Sequence, residues 1–588
     1  NSEDDGSRGE SASNIRIPIY DVYNAMIQNN VVDINRLSNK EATALEKNIY
    51  RRFTSSKQDT NRHIRSELSY SNTRYGNQLS ESLQDYLDYI YALLSEREIL
   101  SLTAEDKSDE NYVKYINQKI SLSKFLQYAI SKNWINLEYL EIGNDYYSTE
   151  EIYEKLINYI FDILHDDIDY DKQIYKNMIY DYNLSGREIC LLLYSQKVIQ
   201  KNNTEMERLQ SGAISAYEFV KAKIRSLDIT PGQLGLEPCS GSIVVTDVNT
   251  GKVKAMVSYP SYDNNKFAGS VDSEYFSKIN SNKAAPLLNR STQQKTAPGS
   301  TYKMLVASAS LEEGIINPYT TVKDKTTFTN IHPSPKCWST NSSHGTINVT
   351  QAIRDSCNYF FYEMGFRLGD GAGENVNNEK GLKKLEKYAK IYGLTETSGV
   401  ELTESEPTVS DMDTVRSAIG QGTNSYTPVQ LSRYVTSIAN NGICYDLTII
   451  DKIKNSQEDK AKENKAKVHN KLSFAESTLS AITQGMRLVV KDGSIRSMFH
   501  NLPIDVAGKT GTAQESAFKP NHALFVSYAP YEDPEISVTT VIANGYTSSN
   551  AAELASDVYL YYFDKGSRKR LLNQRVSTPK VNSGAVTD

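Results

Sequence analysis

The sequence contains no long hydrophobic run. None of its 588 residues lies in a stretch of the roughly 18 apolar residues that a membrane helix needs, and Asn1 follows no signal-like segment. We therefore expect that the chain as given neither spans nor enters a membrane. This leaves open that it is the soluble part of an anchored protein.

Cysteine pairs and basic charge are also scarce. The five cysteines lack Cys-x-x-Cys spacing, and their odd number cannot pair completely within the chain, so we expect no disulfide framework. The formal net charge is -7 and is spread without a basic stripe. Electrostatics therefore gives no reason to expect nucleic acid as a partner.

Length and composition predict several packed domains. A chain of 588 residues exceeds what one core fills, and 39% hydrophobic with 23% charged residues is typical of globular proteins. Residues 1–14 are polar and rich in Gly and Ser, which predicts a flexible start. From about residue 79 to 200 the apolar period is helical. Two sets each predict one buried helix face: Leu83, Leu87, Ile90 and Leu94, then Ile152, Leu156, Tyr159 and Ile163.

Strand patterns follow in two separate places. Residues 242–263 predict two strands joined at Gly251, which can take the positive φ of a short turn. Residues 522–545 predict a second strand pair, and residues 548–563 predict a terminal helix. We expect one sheet assembled from distant parts of the chain. The charge-rich residues 455–471 predict a solvated insert, and the basic tail around Arg568, Lys569 and Arg570 is expected to be mobile.

The stretch "APGSTYKM", residues 297–304, places a serine directly after Pro-Gly and a lysine one helical turn later. A helix that begins at about Ser300 puts its hydroxyl at the positive end of the dipole, and Lys303 falls on the same face. Apolar neighbours are expected to desolvate Lys303, which favours the neutral amine and lets it activate the serine. The pattern is weak alone, because Ser121 with Lys124 and Ser577 with Lys580 also match it.

Two further motifs make the pattern specific. Ser356-Cys357-Asn358 follows, and Lys509-Thr510-Gly511 follows that. Ser-x-x-Lys, Ser-x-Asn and Lys-Thr-Gly, in this order, are typical of penicillin-binding proteins and serine β-lactamases.

With these motifs, the sequence resembles class B penicillin-binding proteins of the cell-elongation type, also called penicillin-binding protein 2-like. The resemblance covers roughly residues 237–566 and includes "AIGQGTNSYTPVQL" and "ALFVSYAPYEDPEISV". It implies an α/β multi-domain protein whose transpeptidase domain has an antiparallel sheet flanked by helices. Residues 1–236 would form a largely helical pedestal without chemistry, residues 237–566 the transpeptidase domain, and residues 567–588 a flexible tail.

The resemblance also implies catalytic roles in a serine D,D-transpeptidase that crosslinks peptidoglycan stem peptides and is inhibited by β-lactams. Ser300 would be the acylated nucleophile and Lys303 its base. Ser356 would relay a proton, Asn358 would hold the substrate amide, and Lys509 would complete the hydrogen-bond network.

Substrate binding is implied for Thr510, Gly511 and Thr512, of which the two threonines would bind the terminal carboxylate. The backbone N–H groups of Ser300 and Thr512 would form the oxyanion hole. The implied partner is a membrane glycosyltransferase of the shape, elongation, division and sporulation family. The implied place is the extracytoplasmic face of the bacterial membrane, with an anchor helix that is not part of this sequence.

The sequence departs from the family in its first part. The pedestal usually begins with "RGxIxDRxG", of which "SRGESASN" keeps two letters. We expect no C-terminal repeat module after the transpeptidase stretch, which disfavours the spore-type relatives, and no glycosyltransferase-like domain.

The sequence disfavours several other classes of enzyme. A phosphate-binding loop ending in "AGKTGT" needs glycine at position 503, which is Pro503, and no His-Glu-x-x-His metalloprotease motif occurs. A β-lactamase shares the first half of the chemistry, and "ELTESEP" at 401–407 offers carboxylates, but it is worded like a structural stretch of the family. A D-alanyl carboxypeptidase or a β-lactam sensor would use the same residues, so both remain open.

Soft ligands near the second motif predict a metal site. Asp324, Cys337, His344 and Cys357 offer one carboxylate, one imidazole and two thiols, a set that suits tetrahedral structural zinc. The resemblance to elongation-type relatives favours zinc. Unliganded thiols and a Cys337–Cys357 disulfide remain alternatives, with His332 and Asp355 as substitute ligands. We expect no cofactor for catalysis.

Overall fold

The computed structural model describes residues 17–140, 146–339, 342–454, 461–514 and 519–573. The expected flexible start therefore lies outside the described residues, as does most of the predicted tail. Two compact units are present, Ile17–Ile224 and the chain from Arg225 onward.

The first unit is built from helices, as predicted. Their bounds are Ile19–Gln28, Ala44–Glu67, Glu81–Glu96, Glu110–Ile116, Leu122–Ser131, Thr149–His165, Ile168–Tyr180, Gly186–Ser195, Asn203–Ser211 and, at its end, Ala216–Arg225. Among the described residues, no helix of either unit is long and apolar enough to cross a membrane.

The predicted face of the helix Thr149–His165 is one position off. Tyr153, Leu156, Ile157, Ile160 and Leu164 are the buried residues, whereas Ile152, Tyr159 and Ile163 are half-buried. The apolar stripe of this helix is wide, so spacing alone does not identify its centre.

Three segments of the helical region share one local plan. Ser121, Ser185 and Ser215 each accept a hydrogen bond from the backbone N–H three residues on and so cap a helix. A residue with φ of 58–59° lies twelve positions after each serine: Asn133, Lys197 and Leu227. A buried isoleucine lies two positions further: Ile135, Ile199 and Ile229. Each segment therefore contains both the residue that caps the start of its helix and the left-handed residue that follows the helix end.

The second unit contains the expected single sheet from distant parts of the chain. Its strands are β1 (Ser240–Asp247), β2 (Val253–Tyr259), β3 (Ala507–Ala513), β4 (His522–Ala529) and β5 (Ile536–Ala543), in the spatial order β2-β1-β5-β4-β3. Every neighbouring pair is antiparallel, with Val245 opposite Val538 and Val526 opposite Lys509. Gly251 takes φ of 72° in the turn between β1 and β2, as predicted.

Helices cover both faces of this sheet. Helix Ser548–Phe563 lies on one face, where Tyr559 Oη donates to Ser527 Oγ at 2.9 Å. Helix Pro428–Ala439 lies on the other, where Thr436 Oγ1 and Ser537 Oγ are 2.7 Å apart. Ser527 pairs with Val538, whose side chain points away from that of Ser537, so the two helices lie on opposite faces.

Further helices of the second unit lie between strands β2 and β3 in the chain. Their bounds are Ser273–Asn280, Arg290–Gln293, Lys303–Glu312, Val349–Arg354, Asn358–Leu368, Asn378–Ile391, Thr414–Ser417, Glu476–Lys491 and Arg496–Phe499. Short strand pairs join Val322–Lys323 to Thr346–Ile347, Ile443–Asp446 to Lys467–Lys471, and Lys452–Ile453 to Lys462–Glu463.

Two charged segments contain secondary structure that the sequence did not predict, although the described part of the 455–471 insert is largely exposed, as expected. Part of the 455–471 insert pairs as strands, and residues 455–460 lie outside the described residues. Arg568–Leu572 forms a short helix at the start of the predicted tail, where the Arg568 side chain donates to Tyr561 O. The exposed lysines of Lys467–Lys471 suggest a loop when the sequence is interpreted by charge alone. The segment can still form an edge strand, because strand pairing needs only the backbone.

The domain boundary was predicted after residue 236, whereas the compact units divide between Ile224 and Arg225. The short helix Pro231–Leu234 contacts the sheet region directly. The Gly232 N–H donates to Tyr259 Oη at 3.1 Å, and Asn282 donates to Gly232 O at 3.2 Å. These contacts group the connecting segment with the second unit.

Candidate active site

The serine of the first motif lies in a 3₁₀ turn, not in the α-helix that was predicted to begin there. The turn spans Gly299–Tyr302, and the α-helix begins at Lys303. Ser300 is 5% exposed, and the turn has no side-chain cap hydrogen bond. The hydroxyl is therefore not used as a helix cap.

Glycines allow three backbone segments to meet at this turn. Gly299 takes φ of 50° and donates to Gly420 O at 3.1 Å, and a Cβ on it would lie 2.6 Å from Thr512 O. A Cβ on Gly511 would lie 2.8 Å from Thr301 Cγ2. Side chains at these positions would push strand β3 away from Ser300, so the glycines set the width of the site.

Lys303 is fully buried at the start of its helix. Its Nζ donates to Ser356 O at 2.7 Å, to Ser356 Oγ at 3.1 Å and to Asn358 Oδ1 at 2.6 Å. The ring of Phe361 lies 5.6 Å from Nζ. These contacts join the first two motifs.

Ser356 lies between the helices Val349–Arg354 and Asn358–Leu368 with φ of 52°, in the left-handed region. A residue with a side chain pays about 1–2 kcal/mol for this conformation. The turn aims Ser356 Oγ at two lysines, Lys303 at 3.1 Å and Lys509 at 2.8 Å. A hydroxyl between two amines is suited to passing a proton.

Lys509 belongs to β3 and is fully buried. Its Nζ also donates to Thr510 O at 3.0 Å. Thr510 and Thr512 are buried on the same strand, and Thr512 Oγ1 has no hydrogen-bond partner among the described residues. Since β3 is the last strand in the order of its sheet, an extended ligand can lie along its outer edge.

The structure thus brings together the predicted Ser356, Asn358, Lys303 and Lys509, beside the turn of Ser300. The buried Lys509 favours a ligand with a carboxylate, and the Thr512 hydroxyl, which has no partner among the described residues, can donate to it. The three motifs converge although they are far apart in the chain.

The four predicted metal ligands also converge. The ligand atoms of Asp324, Cys337, His344 and Cys357 all lie within 4.8 Å of one another. The two Sγ atoms are 4.0 Å apart, Cys337 Sγ is 3.7 Å from His344 Nδ1, and that nitrogen is 2.7 Å from Asp324 Oδ2. Ligand atoms around tetrahedral zinc are about 3.3–3.8 Å apart, by the usual bond lengths. The donor set therefore fits zinc with small movements.

The protonation of this cluster follows from its hydrogen bonds. The Sγ atoms of Cys337 and Cys357 share a hydrogen bond, which lowers the pKa of the Cys337 thiol and raises that of the Cys357 thiol. Burial alone would raise the pKa of Asp324, but the N–H groups of His344 and Thr326 donate to its carboxylate and hold the pKa below its usual value. The cluster therefore favours one thiolate and one carboxylate beside the imidazole.

The two substitute ligands lie outside the cluster. His332 is exposed and lies 3.8 Å from Glu374, and Asp355 pairs with Arg354 at 2.7 Å. Cys337 and Cys357 are free thiols in the structure.

Two of the three carboxylates of the 401–407 stretch, Glu401 and Glu404, are engaged in structural contacts. Glu404 accepts hydrogen bonds from the Ser398 N–H and hydroxyl and from Gln430, and burial raises its pKa. Glu401 accepts from Thr448 Oγ1 and from the Ile449 N–H. These partners agree with the structural interpretation of the segment.

One contact at the site escaped the sequence analysis. The Trp338 indole N–H donates to Ser356 O at 3.1 Å and to Asp355 O at 3.3 Å. The sequence offers one indication of this contact. Tryptophan is rare in the chain, with two residues, and Trp338 is adjacent to the predicted metal ligand Cys337.

Comparison with known proteins agrees with the motifs. The family model described as the penicillin binding protein transpeptidase domain matches residues 241–560. The peptidoglycan D,D-transpeptidase MrdA of Haemophilus influenzae is 30% identical over 372 residues, which cover 56% of this chain and 54% of that protein. The peptidoglycan D,D-transpeptidase PbpA of Mycolicibacterium smegmatis is 28% identical over 336 residues, with 52% and 62% covered.

A solved penicillin-binding protein, PBP2 from Helicobacter pylori, superposes with a TM-score of 0.48 at 28% identity, over 56% of this chain and 61% of that one. The chain spans about half the length of the curated MrdA proteins that it matches. The family model and the sequence matches to the MrdA proteins confirm the resemblance to class B, elongation-type penicillin-binding proteins. More than half of the chain is matched by the family model, and the chain therefore belongs to the family of penicillin-binding protein transpeptidase domains.

Proposed function

We propose that this protein is a serine D,D-transpeptidase that crosslinks peptidoglycan stem peptides. The observation that carries the proposal is the position of Lys303 Nζ, which is buried and bonded to both Ser356 and Asn358 beside Ser300. Relatives named peptidoglycan D,D-transpeptidase support it.

In the first step, Ser300 Oγ attacks the penultimate D-Ala carbonyl of a donor stem peptide, and the neutral Lys303 amine takes the hydroxyl proton. The backbone N–H groups of Ser300 and Thr512 stabilise the oxyanion. The C–N bond to the terminal D-Ala then breaks, and the proton held by Lys303 passes through the Ser356 hydroxyl to the leaving amine. An ester on Ser300 remains.

In the second step, the amine of a neighbouring stem peptide attacks this ester. The new amide bond forms as the ester C–O bond breaks, and the proton lost by the attacking amine returns through Lys303 to Ser300 Oγ. Lys509 and Thr512 hold the donor's terminal carboxylate in the first step, and Asn358 holds its amide. β-Lactams mimic the D-Ala-D-Ala end of the donor, and their reaction stops at the ester on Ser300.

The test is covalent labelling. Incubation with benzylpenicillin should add the full mass of the drug, and peptide mapping should place it on Ser300. Ser300→Ala should remain unlabelled, while the matched control Ser121→Ala should label like the parent protein. Labelling of Ser300→Ala would overturn the assignment.

The lifetime of the adduct separates the related enzymes. We expect slow release, because the described structure holds Glu401 and Glu404 in structural hydrogen bonds. Release within milliseconds would identify a β-lactamase. With a stem-peptide substrate, crosslinked product in the presence of an amine acceptor separates a transpeptidase from a carboxypeptidase, which yields hydrolysed peptide.

We also propose that Asp324, Cys337, His344 and Cys357 hold a structural zinc ion. Their spacing and soft donor set support it. The ion would tie the loop at Cys337 to the turn that carries Ser356 and so hold the second motif in place.

Elemental analysis of protein purified without chelator should give about one zinc per chain. Cys357→Ser should lower the content, and Cys444→Ser, a buried cysteine elsewhere, should not. Less than about 0.2 zinc per chain, with Cys337 and Cys357 freely alkylated in the folded protein, would overturn the proposal.

The place and partner of the enzyme are further proposals. A crosslinking enzyme consumes glycan strands that carry stem peptides, so its substrate comes from a glycosyl transfer. We propose a membrane glycosyltransferase of the elongation machinery as partner, and action at the extracytoplasmic face. A membrane-impermeant fluorescent penicillin should label the protein in intact cells; labelling only after lysis would contradict this.

A further inference from the structure

Trp338 contacts the backbone of the second motif at Ser356, the residue of that motif with an energetically unfavourable backbone conformation. Ser356 has a positive φ of 52°, which a residue with a side chain adopts only when its surroundings hold it there. The indole N–H lies 3.3 Å from the Asp355 carbonyl oxygen and 3.1 Å from that of Ser356. One donor therefore binds two consecutive carbonyl groups.

This arrangement depends on the turn. Consecutive carbonyls of an extended chain point in opposite directions, so a single N–H reaches both only when the backbone is tightly turned. The indole thus stabilises the turned conformation of Ser356 over extended ones. Its ring is itself held, because it packs against the core and meets the His344 ring edge to face at 5.2 Å.

The same carbonyl oxygen positions the lysine of the first motif. Ser356 O accepts from Lys303 Nζ at 2.7 Å as well as from the indole at 3.1 Å. The direction of this carbonyl therefore decides where the amine lies relative to Ser356 Oγ, 3.1 Å away.

We propose that Trp338 is a positioning residue for acyl transfer, which acts through the Ser356 peptide to hold Lys303 and the Ser356 hydroxyl in reactive geometry. The proposal rests on the proposed transpeptidase function. It concerns the rate of the chemical step and not the binding of the donor.

The test removes the N–H and keeps the ring. Benzothienylalanine, in which sulfur replaces the indole N–H, is introduced at position 338 by suppression, and Trp338→Phe serves as a second variant. A fluorinated tryptophan at the same position keeps the N–H. The matched control is benzothienylalanine at Trp134, whose indole donates to Asp106 at 2.9 Å in the helical unit.

The measurement is the time course of acylation by a chromogenic cephalosporin at several concentrations, which separates binding from the acylation rate constant. Without the N–H at 338 we expect that rate constant to fall about tenfold, as for one lost hydrogen bond, with half-saturation unchanged. The fluorinated variant and the Trp134 control should react like the parent protein.

Three outcomes would overturn the inference. An unchanged acylation rate constant in the benzothienylalanine and Phe variants refutes it directly. If the fluorinated variant loses as much of the acylation rate constant as the benzothienylalanine variant, the effect comes from ring packing and not from the N–H. If the parent protein is not acylated at all, the proposed function fails first and the inference fails with it.

Discussion

Two serine-lysine pairs with the same spacing behave differently in this molecule. In the helical unit, Ser121 Oγ accepts the Lys124 N–H at 3.1 Å and donates to Asn72 O, while Lys124 Nζ bonds to Tyr70 O. In the second unit, the Ser300 turn has no side-chain cap and Lys303 Nζ is fully buried against Ser356 and Asn358. One pair caps a helix, and the other forms a candidate catalytic centre.

The backbone before each serine explains the difference. Ser121 is extended, with φ of -72° and ψ of 155°, so its hydroxyl faces back to the first turn of its helix. Ser300 follows Gly299 at φ of 50° and lies inside a 3₁₀ turn. A spacing motif therefore predicts reactivity only when its backbone keeps the hydroxyl from capping.

The largest expected effect is at the lysines. Lys303→Ala removes the proposed base, so we expect acylation by a fluorescent penicillin to slow by roughly a thousandfold. Lys124→Ala should leave the rate unchanged. Equal rates in the two variants would break the comparison, and circular dichroism of both checks that they are folded.

A smaller effect is expected at the threonines of the sheet. Thr512→Val removes a buried hydroxyl without a described partner, so the concentration of penicillin for half-maximal acylation should rise about tenfold, as for a lost hydrogen bond to a charged group. Stability should not fall, since an unsatisfied polar group is lost. Thr540→Val is the control, because its buried hydroxyl is likewise unpartnered in the described chain. An equal rise in Thr540→Val would contradict the role of Thr512.

The smallest effect is expected in stability. Ser121→Ala removes a helix cap and should lower the free energy of unfolding by about 1 kcal/mol, with acylation unchanged. Ser300→Ala should change it by less, because no cap is lost. Thermal unfolding of both variants tests this, and a larger loss in Ser300→Ala would reverse the comparison.

Much of the candidate site could be predicted because its residues are chemically distinctive. Ser356, Asn358 and Lys509 were found from short motifs, and Asp324, Cys337, His344 and Cys357 from their ligand chemistry. Reactive groups are few in any chain, so their order and type identify them even when their contacts are unknown.

The features that were missed depend on contacts between distant segments. The 3₁₀ turn at Ser300 is imposed by Gly420 and Thr512, and the Trp338 hydrogen bonds need the loop after Thr326 to meet the turn at Ser356. The strand Lys467–Lys471 was hidden by its exposed lysines. Local sequence patterns carry no information on contacts between segments that are distant in the chain.

The serine-capped segments of the helical region are self-contained. Each supplies its own cap at Ser121, Ser185 or Ser215, and each ends with a left-handed residue and a buried isoleucine. A segment that satisfies both of its ends can be duplicated or deleted whole without leaving unpaired backbone groups, whereas a deletion inside its helix exposes them. Related proteins should therefore differ in length in this region by whole segments.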